Sequence, residues 1–116
     1  MRKYIYRVFA AAILMHSTHA SSAANEDLFG KHLTCAGYYL TLSLLSPDFV
    51  HDYSEKEAGK VYFKHRLIIE NIGSEKNIPN LVHEKFFELQ SSIPRPITKE
   101  GVSEFRAKFD TKCKTL

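Results

Sequence analysis

The chain has 116 residues, 44% of them hydrophobic and 25% charged, with two cysteines, no tryptophan and a formal charge of +3, which bounds it to one domain. Three of its 16 basic residues, Arg2, Lys3 and Arg7, and none of its 13 acidic ones lie in residues 1 to 20, so the remainder carries 13 of each sign. That balance supports neither a nucleic-acid partner, which needs a clustered positive surface, nor adsorption to an anionic membrane.

The three early positive charges precede the apolar stretch Val8 to Met15, and the small residues "HSTHASSAA" follow. This is the layout of a secretory signal peptide. The apolar stretch is too short for a span, which needs about 20 residues. Thr18 and Ala20 favour cleavage after Ala20, and Ser22 and Ala24 offer a second site after Ala24. The expected organisation is a signal peptide over 1–20 and a single helical domain over 25–116, in a periplasmic or secreted protein. Both methionines, Met1 and Met15, leave with the signal, which removes His/Met haem ligation and thioether copper sites.

Asn25 is the expected cap of a first helix running to about Leu45, with Glu26 and Asp27 in its opening turn, where the helix dipole favours acids. Its apolar residues occupy two adjoining faces: Leu28, Cys35, Leu42 and Leu45 on one, Phe29, Leu33, Ala36 and Leu40 on the other. A helix of that kind belongs at the centre of the domain. Polar Thr41 and Ser43, then Ser46-Pro47, interrupt the run and exclude a membrane span. Cys35 stands about 20 residues beyond the signal's apolar core, too far for a lipid anchor, so no stable membrane anchor is expected.

Ser54 and Glu57 have the spacing of a capping box, which starts a second helix near Glu55. Its stripe is Ala58, Val61, Tyr62, His65, Ile68, Ile69 and Ile72, and Gly73 is placed for a left-handed C-terminal cap. A third helix is predicted from about Pro79 to Gln90, carrying Leu81, Val82, Phe86 and Leu89, and "SSIPRP" ends it in an extended connector. Thr98 caps a last helix with the stripe Val102, Phe105, Phe109, Cys113 and Leu116. Cys35 and Cys113 both fall on buried stripes, and in an oxidising compartment they form one disulfide between the first and last helices. Alternating strand patterns are absent, so the fold class is all-α, a compact four-helix domain.

Catalytic and metal-binding signatures are lacking. The chain has no Gly-x-Ser-x-Gly elbow, no Cys-x-x-Cys-His haem motif and no His-Glu-x-x-His motif. Asp48, Asp52, Glu55 and Glu57 read as the solvated start of a helix. His65 interrupts an apolar stripe, and its expected role is that of a core-edge histidine. The protein is therefore expected to be no enzyme, with no catalytic residues, no cofactor and no metal. Adjacent rings at Tyr38-Tyr39, Tyr62-Phe63 and Phe86-Phe87 diverge by about 100° around a helix, so Tyr39, Phe63 and Phe87 are the candidate interaction surface. The function expected from this pattern is non-enzymatic protein binding, by an inhibitor or immunity-type protein. Its partner would be a periplasmic effector or enzyme, or a second copy in a homodimer. In size, export and disulfide such a protein is similar to the small helical immunity proteins that neutralise toxic effectors in the periplasm, a likeness of build. The alternative is a small-ligand or metal carrier with a site at His65 and Tyr62.

Overall fold

The computed structural model describes residues 24–116, and the signal peptide expected over 1–20 lies outside them. Four helices follow in chain order: α1 over 24–44, α2 over Glu55–Ile72, α3 over Ile78–Ser91 and α4 over Lys99–Lys114. No strand occurs among the described residues. No helix there is long and apolar enough to cross a membrane.

Three of the four helix starts have local chemical causes. Ser54 Oγ accepts from the Glu57 amide at 3.1 Å, Asn77 Oδ1 from Asn80 at 3.4 Å, and Thr98 Oγ1 from Gly101 at 3.0 Å. Each supplies an acceptor to a backbone donor that has no partner within its own helix. Asn25 does not play this part for α1, because the helix is already formed at residue 24 and Asn25 lies inside it. Gly73 follows α2 as expected but with φ −114°, outside the left-handed region. Its requirement is spatial: a Cβ there would lie 2.5 Å from Cε2 of Phe29, so the end of α2 comes down directly onto a ring of α1.

α1 occupies the centre, and each other helix covers a different side of it. α4 is joined to it by the Cys35–Cys113 disulfide, and its Phe105 and Phe109 rings lie 5.5 Å from that of Tyr38. α3 crosses α1 at Gly37, where an added Cβ would stand 2.9 Å from Cγ of Lys85 and 3.3 Å from its backbone carbonyl carbon. α2 meets α1 through His65 against His32 and Tyr39. The polar residues of α1 satisfy themselves within the helix: Thr41, 2% exposed, donates to the Gly37 carbonyl at 2.8 Å, and Ser43 to that of Leu40 at 2.7 Å.

Two apolar clusters result. The larger takes Cys35, Tyr38, Tyr39 and Leu42 from α1, Val50 from the following loop, Ala58 and Leu89 from α2 and α3, Ile93 from the connector, and Val102, Phe105 and Cys113 from α4. The smaller, at the α2–α3 turn, is built from Phe29, Ile69, Ile78 and Val82. The outer faces of α2 and α3 carry exposed Phe63, Leu67 and Phe87.

Candidate functional site

One buried polar pair, one half-exposed ionic centre and two exposed apolar helix faces stand out from this frame. The first centre is a pair of histidines from two helices. His32 and His65 are 4% and 3% exposed, and their Nδ1 atoms are 2.8 Å apart. A contact of that length between two imidazole nitrogens is a hydrogen bond in which one ring donates and the other accepts. Tyr39 lies parallel to His65 with ring centroids 5.7 Å apart, and Tyr53 meets Tyr39 edge-on. Burial pushes His65 down to about 4, with the facing His32 and Lys64 acting in the same direction. His32 is lowered by burial and then by Lys64. The charges that act on the pair are thus its own and a lysine's, all of one sign, and the neutral imidazoles are the stable form.

The second centre ties the loop after α1 to α4. Arg106 donates through Nη1 and Nη2 to the two carboxylate oxygens of Asp52 at 2.6 and 2.7 Å, a two-pronged pairing. Nη2 also reaches Asp110 Oδ2 at 3.2 Å, and Nε donates to the Tyr38 hydroxyl at 3.4 Å. That hydroxyl in turn donates to Asp110 Oδ1. The paired bonds from Arg106 hold the Asp52 carboxyl down at about 2. Burial, then the hydrogen bond to Asp110, drives the Tyr38 phenol far above its ordinary value. A carboxylate locked by an arginine and a phenol that keeps its proton are poor acids, bases and nucleophiles at neutral pH. The centre instead works as a clasp between α1, the 45–54 loop and α4. Arg106→Lys keeps the charge but loses the fork geometry. It should lower stability by about 1 to 2 kcal/mol, a figure already reduced for the half-exposed Asp52, and shift the urea midpoint without changing the slope.

Of the residues predicted to form an interaction surface, Phe63 and Phe87 are exposed, at 58% and 57%, and Leu67, one turn after Phe63, at 53%. Tyr39 is not: it is 1% exposed. The expectation assumed a helix covered on one side, where one of two neighbouring rings must face outward. Because α1 is enclosed by three helices, Tyr38 turns to α4 and Tyr39 to α2, and both are covered. The alternative ligand site is also rearranged. His65 faces His32, while the Tyr62 hydroxyl accepts from Arg66 Nη1 at 2.9 Å. No group of three or more His, Cys, Asp or Glu placed to hold a metal ion occurs among the described residues.

Sequence reasoning missed His32 as the partner of His65, and it missed the Arg106 clasp. Half of the clasp is visible in the sequence as the i, i+4 pair Arg106 and Asp110 on α4. Comparison with protein-family models, curated proteins and solved structures finds no match for this chain.

Proposed function

We propose that this is an exported, non-enzymatic binding protein that engages another protein through the outward faces of α2 and α3. The observation that carries the reading is the exposure of Phe63, Leu67 and Phe87, each more than half accessible in a domain whose other large rings are packed away. Aromatic side chains held rigidly on helices are typical anchors of protein contacts, since little conformational freedom is lost when they are covered. Two features agree with this. The buried polar groups are engaged with one another and leave no activated nucleophile, and a cysteine pair joined as a disulfide fits an oxidising compartment. An inhibitor or immunity-type role is the specific form of binding that this build suits. The carrier reading, with its site at His65 and Tyr62, has less support, because His65 Nδ1 is already bonded to His32 and the Tyr62 hydroxyl to Arg66.

The test is capture with the oxidised protein immobilised, using extracts of the organism that makes it. A retained protein that is lost when Phe63→Asp or Phe87→Asp is immobilised instead, with the helical circular dichroism unchanged, is the expected result. Retention of nothing, together with no self-association up to roughly 200 µM, would overturn the proposal.

A further inference from the structure

The two exposed faces differ in charge. On α2, Lys56, Lys60 and Lys64 recur at intervals of four beside Phe63 and Leu67, and all five side chains are exposed. None of the three lysines is ion-paired among the described residues. Of the acids on this helix, Glu70 follows Phe63 and Leu67 on the same face but is paired with Arg66 at 3.1 Å, and Glu55 and Glu57 stand in the first turn. On α3, Phe87 is accompanied by Glu84 and Glu88, again four apart and exposed. Glu84 has no ion-pair partner among the described residues, and Glu88 is held by Lys85 at 2.9 Å. Beyond residue 20 the chain carries 13 charges of each sign, so these patches are a local sorting of charge and not a general excess.

Resting on the binding reading above, we infer that the face these helices fit is each other's in a second copy of this chain. Phe63 and the lysine edge of α2 in one copy lie against Phe87, Glu84 and Glu88 of the other. Within one chain the two patches cannot meet, because α2 and α3 turn their opposite sides toward each other and α1. Every copy carries both halves of the match, and α2 and α3 are consecutive helices joined by the short 73–77 turn. A twofold axis therefore lets each helix meet its complement and closes the contact at two copies. Closure covers Phe63, Leu67 and Phe87 and gives the unpaired lysines and Glu84 partners of opposite sign.

Sedimentation of the oxidised protein at pH 8 and low salt, from roughly 5 to 200 µM, should show a dimer that dissociates as salt screens the pairing. Lys56→Glu with Lys60→Glu makes both faces acidic, and Glu84→Lys with Glu88→Lys makes both basic. Lys64 is left alone because it acts on the histidine pair. Each double variant should dimerise at least tenfold more weakly, while an equimolar mixture of the two should form a one-to-one heterodimer. Unchanged helical circular dichroism would establish that the exposed substitutions leave the fold intact. The inference falls if the wild-type chain is monomeric throughout, if its dimer is indifferent to both reversals, or if the mixture fails to associate. A monomer that still captures a foreign protein through Phe63 would sink the self-pairing and leave the binding reading standing. A monomer that retains nothing would sink both.

Discussion

Replacing Cys35 and Cys113 together by alanine should lower the melting temperature by about 20 °C. The bridge spans 78 residues of sequence. In the chain-entropy description, closing a loop of that length removes enough freedom from the unfolded chain to stabilise the fold by about 4.5 kcal/mol, an upper figure since residual structure reduces it. Small domains have a net stability of about 5 to 15 kcal/mol, so this is a large share. The position of the bridge adds to it. Both sulfurs lie in the larger apolar cluster, at 3% and 4% exposure, and they join the central helix to the last one, which follows a proline-containing connector. Wild-type protein treated with reductant after denaturation should melt where the alanine variant melts. A variant that melts within about 5 °C of the oxidised protein would show that α4 is held on α1 by the Phe105, Phe109 and Arg106 contacts alone.

Acidification should weaken the fold through His32 and His65, by about 2 kcal/mol for His65 at pH 5. An unfolded histidine takes up its proton near pH 6.5, whereas His65 in the fold does so only near 4. Between those values the unfolded chain binds more protons than the folded one. Stability is therefore complete above about pH 6.5 and is lost progressively as the pH falls toward 4. His32 contributes in the same direction. Protonating both rings would place two cations 2.8 Å apart at the joint between α1 and α2, with Lys64 adding a third charge of the same sign. The Asp52–Arg106 pairing does not interfere in this window, because Asp52 keeps its charge down to about 2. Changing both histidines to leucine removes donor and acceptor together, so no polar group is stranded. Urea titrations from pH 8 to pH 4.5 should show a steeper loss in the wild-type chain than in this double variant. Equal pH dependence would mean that the pair contributes nothing to acid sensitivity.

The number and order of helices were legible because their starts and stops depend on neighbours in the chain. Ser54, Thr98 and the proline-containing stretch after Ser91 act within a few residues, and the predicted second, third and fourth helices match the observed ones to within about two residues at each end. The disulfide was legible for a different reason: with only two cysteines there is one pairing, and both lay on apolar stripes. Exposure of Phe63 and Phe87 also followed from helical spacing, since each lies opposite the buried stripe of its own helix.

What only the tertiary structure decided concerns residues whose surroundings come from another element. The sequence places His32 and His65 on separate helices 33 positions apart, and nothing in either helix's own period says that their Nδ1 atoms meet. Asp52 sits in a loop whose position depends on how α4 packs against α1, so its lock with Arg106 was hidden although Asp110 was visible one turn along. Tyr39 went inward because three helices enclose α1, and Gly73 is required by the Phe29 ring and not by its own backbone angles. Periodicity reports which side of a helix is apolar. It does not report how many sides are covered or what stands opposite, because those depend on how helices cross, and that is set by the packing of all four together.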